Sequence, residues 1–174
     1  MAKSGGHFVK ITEKDMEIIE ILEKDARLPI DTIAKMSNLS IKETEQTIKR
    51  LEDEKIIVRY ITMIDWAKIE DQTGVKAMID VKVTPQRGVG FNEIAERIYR
   101  FEEVSSVYLM SGTYDLSVII EGKSMNDIAR FVFEKLSTLE SVVSTTTHFI
   151  LRTYKHDGII FEPEKKDKRI VVSP

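Results

Sequence analysis

Cysteine is absent from this 174-residue chain, which excludes disulfides, thiol catalysis and cysteine-ligated zinc. Long apolar runs are absent too: no stretch approaches the roughly 20 residues that cross a bilayer. The opening MAKSGGHFVK lacks the apolar core of a signal peptide and reads as a loose end, so a cytoplasmic location is expected. There is no surplus of one charge either. A formal net charge of −3 gives no compositional pointer to nucleic acid. His7, His148 and His156 have no metal-ligand spacing, and His148, inside an apolar-polar run, reads as a packing or hydrogen-bonding residue. Neither a metal nor a cofactor is expected. What is present, 42% hydrophobic and 32% charged residues, is the make-up of a folded soluble protein.

The pattern divides the chain into an α+β whole. Residues 1–61 read as a helical domain, 62–74 as a linker containing the polar KIEDQTG, 75–154 as a second domain, and 155–174 as a tail. A first helix opens at Thr12 with Asp15 three residues on, a variant capping box. Ile18, Ile19, Ile21 and Leu22 form its apolar face, and Pro29 breaks the continuation because it disfavours helical geometry at Leu28. A short second helix, DTIAKM, buries Ile33 and Met36. After the polar turn SNLS, Ser40 and Glu43 form an S-x-x-E capping box for a third helix. Its inward stripe is Ile41, Thr44, Ile48 and Leu51. The β-rich IIVRYITMI that follows suggests a small hairpin or wing.

The second domain alternates as βαββαβ, the ferredoxin-like plan. VKAMIDVKVT places Val75, Ala77, Ile79, Val81 and Val83 on one face, and FNEIAERIYRF is a helix with Phe91, Ile94, Ala95, Ile98 and Phe101 inward. VSSVYLMS and YDLSVIIEG pair around Gly112. A helix over 124–139 follows, with Phe131, Phe133 and Leu136 as core, and then a strand, VVSTTTHFILRTYK. Helices cover one sheet face. The other, carrying Val107, Leu109, Val118 and Ile120 or their alternates, is expected to bury itself against a partner, so a homodimer is expected. In the tail, GIIF and RIVV read as two strands bracketing a charged turn.

Three helices with a tight turn before a capped third describe a helix-turn-helix, whose last helix enters the major groove of double-stranded DNA; a solvated helical module that binds no DNA has the same outline. Residues 1–61 hold 11 Lys/Arg and 12 Asp/Glu, so the domain is not basic. The acids crowd the first helix, however, while Lys42, Lys49, Arg50, Lys55 and Arg59 lie on the proposed reading face and wing. Such clustering supplies phosphate contacts. On this reading Lys49 and Arg50 contact phosphate, Lys42, Glu43, Gln46 and Thr47 read base edges, Ser40 caps the reading helix and Arg59 sits on the wing. Binding per module is expected to be weak and useful only when modules are paired.

No enzyme constellation is present: Asp80 and Asp115 could face one another, but without a positioned partner they make no acid–base pair. PQRGVGF is a strand-to-helix loop rather than a phosphate cradle. In Ser111-Gly112-Thr113-Tyr114-Asp115, glycine permits a turn and close approach, tyrosine offers a ring with a hydroxyl, and aspartate a charge. Together they suit a zwitterion, whose ammonium the carboxylate takes. Equally, Asp115 caps the turn's own amides and Tyr114 fills a subunit seam.

Both motifs together resemble the leucine-responsive/AsnC family of transcription regulators, over roughly residues 11–154. The resemblance rests on ITEKDMEIIEILEKDARLPIDTIAKMSNLSIKETEQTIKRLEDEKII and on SGTYDLSVII. It implies a winged helix-turn-helix, a ferredoxin-like effector domain that dimerises and assembles further to an octamer, and an amino-acid effector bound near Gly112, Tyr114 and Asp115. Thr145 or Thr147 would line that pocket. The chain departs from the family where arginines are common (Gln46, Thr47), where a glycine is common (Lys55) and where an apolar residue is usual (Thr44). An amino-acid sensor that works through protein contacts, its helix-turn-helix vestigial, is the alternative.

Overall fold

In a computed structural model, residues 9–70, 74–85 and 90–161 are described; residues 1–8, 71–73, 86–89 and 162–174 lie outside. His7, the middle of PQRGVGF and the RIVV expected as a strand are among the latter. The described chain separates into two compact units, divided between Ile64 and Asp65.

The first unit is three helices: α1 (Glu13–Lys24), α2 (Ile30–Ser37) and α3 (Ile41–Asp53). Both expected capping boxes form. Thr12 and Asp15 satisfy each other's amides at α1, and Ser40 and Glu43 do the same at α3, covering donors that a helix start leaves without partners. Ile18, Leu22, Ile33 and Leu51 make the core. Thr44, fully buried, donates its hydroxyl to the Ser40 carbonyl at 3.0 Å, which is how a polar residue occupies an inward position without an unsatisfied group. The turn between α2 and α3 uses Asn38 at φ 53, a left-handed conformation that asparagine tolerates. Lys14 reaches across to the Ser37 carbonyl at 2.8 Å and ties α1 to the end of α2.

Three expectations fail here. Met36 is exposed; the buried residues of α2 are Ile33, Ala34 and Ser37, a stripe rotated by about one residue, with Ser37 satisfied by the Ile33 carbonyl at 2.9 Å. Ile41 is also exposed, lying at the first helical residue, a turn ahead of Thr44. No wing strand forms between Glu54 and Ile64. That stretch runs without a ladder partner and leaves Val58 and Ile61 open to solvent.

The second unit opens with a single 3-10 turn (Trp66–Lys68) and continues through β1 (Val75–Val83), α4 (Phe91–Tyr99), β2 (Val104–Leu109), β3 (Leu116–Gly122), α5 (Met125–Phe131) and β4 (Val142–Ile150). The strands form one antiparallel sheet in the order β2-β3-β1-β4, as the split βαβ plan requires. The helix side of the sheet carries Ala77, Ile79, Val81, Val83, Leu116, Val118 and Ile120, closed by Ile94, Ile98, Ile128, Phe131 and Leu136. Val118 and Ile120 therefore belong to the core and not to the open face. Their alternates, Ser117 and Ile119, take the open side with Met78, Asp80, Thr146 and His148, as the register dictates.

The helix expected over 124–139 is α-helical only to Phe131 and continues through Val132–Leu136 as a π turn. Phe131 and Leu136 are both buried. They lie five positions apart, and the wider i→i+5 repeat, seen in the Ser137 amide bonding the Val132 carbonyl at 2.8 Å, brings both inward. Phe133, expected in the core, is consequently turned out to solvent, 79% exposed. In the tail, Ile159–Ile160 pairs back with Lys155–His156 in a two-residue hairpin, β5 and β6. Its turn is Asp157-Gly158, both at positive φ, the geometry of tight hairpin turns.

Candidate functional site

On α3, Lys42, Gln46 and Lys49 stand exposed on the side away from Thr44 and Leu51, with Thr47 half-buried at the margin. Lys42 and Lys49 make no ion pair among the described residues. Arg59 is exposed beyond the helix. Two other predicted DNA contacts, the base reader Glu43 and the phosphate contact Arg50, have work inside the protein. Glu43 accepts from the Ser40 amide at 2.9 Å and hydroxyl at 2.6 Å, and these bonds hold its carboxyl below the usual range. Arg50 is turned to the flank: its guanidinium hydrogen-bonds Asp15 of α1 and Glu54 at 3.3 Å. The chain thus leaves Lys42, Glu45, Gln46 and Lys49 open on one surface, while Ser40, Glu43 and Arg50 are engaged in hydrogen bonds within the protein.

The second candidate lies where β2 meets β3. Ser111, Gly112 and Thr113 are exposed in the connection, and Tyr114 and Asp115 are half-buried at its end. The Met110 amide bonds the Asp115 carbonyl at 2.8 Å and the Asp115 amide the Val81 carbonyl at 3.1 Å, so the loop is fastened to the sheet at its base. The Asp115 carboxylate accepts from the Val83 amide at 3.0 Å and from Lys82 Nζ at 3.2 Å. The Val83 amide first, then the Lys82 ammonium, hold its carboxyl below the ordinary range. Asp115 does not face Asp80, which lies 3.3 Å from His148 Nε2. Tyr114 shares a 2.7 Å hydrogen bond with Thr146. Thr145 and Thr147 sit opposite Val81 and Ile79, on the helix side of the sheet, so neither is the threonine that meets Tyr114. Lys82 was not predicted, and of the run Ser144 to Thr147 the resemblance singled out Thr145 or Thr147, whereas Thr146 meets Tyr114. A run of three threonines carries no local mark of which one faces the turn; only pairing with β1 decides it.

A capped helix with an open polar face and a Gly-x-Tyr-Asp turn on a β2-β3-β1-β4 sheet occur here in one chain. Residues 11–52 match the AsnC-type helix-turn-helix domain and residues 76–160 the Lrp/AsnC ligand binding domain. The chain belongs to the Lrp/AsnC family. A Bacillus subtilis relative, the uncharacterized HTH-type transcriptional regulator YugG, is 64% identical over 166 residues, covering 95% of this chain and 100% of its own. HTH-type transcriptional regulator LysM of Saccharolobus solfataricus is 33% identical over 144 residues, 83% of this chain and 96% of that one. Among solved structures, the transcriptional regulator NMB0573 of Neisseria meningitidis in complex with L-Met superposes with a TM-score of 0.69 at 22% identity, over 84% of this chain and 94% of that one. Escherichia coli AsnC superposes with a TM-score of 0.66 at 18% identity, over 85% and 97%. At these identities the structural likeness speaks for the fold. The family match ends at residue 160 and so includes the β5–β6 hairpin. Among the described residues, no helix is long and apolar enough to cross a membrane.

Proposed function

We propose that this Lrp/AsnC-family protein is a sequence-specific transcription regulator in which paired α3 helices read DNA and the second domain senses an amino acid. The observation that carries the DNA half is the division of α3: Thr44 and Leu51 are locked inward while Lys42, Gln46 and Lys49 are open. Lys49 and Arg59 would contact phosphates, and Lys42, Gln46 and Thr47 base edges.

The sensing half rests on the Asp115–Lys82 couple beside Gly112. A carboxylate next to an ammonium presents the charge order of an amino acid in reverse: the ligand's ammonium meets Asp115 and its carboxylate meets Lys82. Ser111, Thr113, Tyr114 and Thr146 would add polar contacts. That NMB0573 is seen with L-Met supports an amino acid over other zwitterions. Homodimers joined through the second domains, assembling to octamers in the cytoplasm, would place such turns at subunit boundaries, and the ligand would act by favouring one assembly.

Band shifts with Lys49→Gln and calorimetry with Lys82→Met test the two halves. We expect Lys49→Gln to lower the salt dependence of DNA binding by about one unit of log K per log salt. We expect Lys82→Met to weaken amino-acid binding about tenfold or more. An unchanged calorimetric titration in Lys82→Met removes the zwitterion reading. A second reading, a sensor that works through protein contacts, is favoured by the surplus of acids in residues 1–61; failure of duplex DNA to bind at any ionic strength would select it.

A further inference from the structure

Arg50 lies on the DNA-facing helix, and its place in the sequence suits a phosphate contact. Its surroundings do not. The guanidinium bonds two carboxylates, Asp15 and Glu54, so the group of three has a formal charge of −1 and offers phosphate no net attraction. Asp15 is the unusual member. It stands 35 residues away in sequence, in the first turn of α1, and is only 2% exposed. One carboxylate oxygen accepts the Thr12 amide at 2.9 Å and so closes the cap of α1; the other receives Arg50 of α3. A single buried carboxylate thus joins the start of one helix to the flank of another.

Apolar packing sets how close α3 comes to α1, since Leu51 is fully buried beside Ile18, but such packing is non-directional. A charge-assisted hydrogen bond with a planar guanidinium is directional. Arg50 is adjacent to Lys49 and one turn from Gln46, so whatever fixes its azimuth fixes theirs. A rotation of α3 by about 20° would move a side-chain tip about 6 Å from the axis by about 2 Å, enough to lose a bidentate contact with a base edge.

We propose that Asp15 is a positioning residue for DNA reading: acting through Arg50, it sets the rotation of α3, and Arg50 serves that brace instead of the phosphate backbone. The inference rests on α3 being the reading helix.

The test uses the full chain and a duplex recovered from a random pool by selection with the wild-type protein. Dissociation constants are measured over a series of KCl concentrations for wild type, Asp15→Asn, Arg50→Gln, the double variant and Lys49→Gln, at a temperature where circular dichroism shows each to be folded. Asp15→Asn keeps the shape of the residue and an acceptor for the Thr12 amide; should it fail to fold, the half-exposed Arg50 allows Arg50→Gln to decide. We expect Asp15→Asn and Arg50→Gln each to weaken binding about tenfold at every salt concentration with the salt slope unchanged, and the double variant to be no worse than either, because both remove the same brace. Lys49→Gln should lower the slope by about 0.9. If Arg50→Gln lowers the slope by that amount while Asp15→Asn binds normally, Arg50 is a phosphate contact and the inference falls. It falls too if both variants melt earlier yet bind as the wild type does, since the pair is then merely structural. If the wild type recovers no duplex, the DNA reading fails and takes the inference with it.

Discussion

Asp15 is pulled two ways. Burial pushes its carboxyl up, while the Thr12 amide and hydroxyl and the Arg50 guanidinium pull it down, and the net result lies below the ordinary aspartate value. A carboxyl depressed by folding contributes stability that is present above its unfolded value and lost as pH falls through the folded one. The window is therefore below about pH 4. At pH 6, Asp15→Asn should be less stable than wild type by about 1–2 kcal/mol, toward the low end because Arg50 keeps contact with water. In urea titrations from pH 6 to pH 3 the gap should close as the wild type loses its advantage. A gap that stays constant to pH 3 would mean the charge on Asp15 does not matter. This residue shows what was legible. Its role in the cap could be read from Thr12 three residues before it. Its bond to Arg50 could not, because nothing local in either helix marks a partner 35 positions away.

At the scale of elements, the helix starts and the inward face of β1 were legible because capping and strand alternation act within a few residues. Expectations failed where an element's geometry or neighbours changed: the π turn moved Phe133 outward, and the pairing register chose Thr146 from among three threonines. The end of α3 shows a local conflict. Lys55 adopts φ 58, and behind it the Ile56 and Ile57 amides return to the Leu51 carbonyl at 2.9 and 3.0 Å. A left-handed residue at this position favours glycine, since a Cβ there costs on the order of 1 kcal/mol. Lys55→Gly should therefore raise the stability of the first domain by about 0.5–1 kcal/mol, seen as a higher urea midpoint, even though glycine also loosens the unfolded chain. Destabilisation would show that the lysine side chain contributes more than its backbone strain costs.

On the proposed reading, the whole molecule has to make weak modules bind firmly. With 11 cations against 12 anions in residues 1–61, and with Arg50 tied to Asp15 and Glu54, few cations remain to attract phosphate. A single domain would hold DNA poorly at physiological salt. Tethering two such domains through a dimer turns the second docking into an intramolecular step, which raises affinity by about 10²–10⁴ without a new contact, provided both sites can be reached at once. Reading helices on a two-fold dimer meet the same face of the duplex when half-sites are separated by whole turns, about 10.5 base pairs. Inserting five base pairs between half-sites should then reduce affinity by about a hundredfold or more, while inserting ten should restore most of it. The amino acid expected at Asp115 and Lys82 should alter this helical-phase dependence more than it alters the affinity for an isolated half-site, because a ligand seated between subunits, as proposed, would act on how the heads are held together. Equal affinity for all three spacings, measured by competition band shift, would mean that the domains bind as independent units and that assembly contributes nothing to recognition.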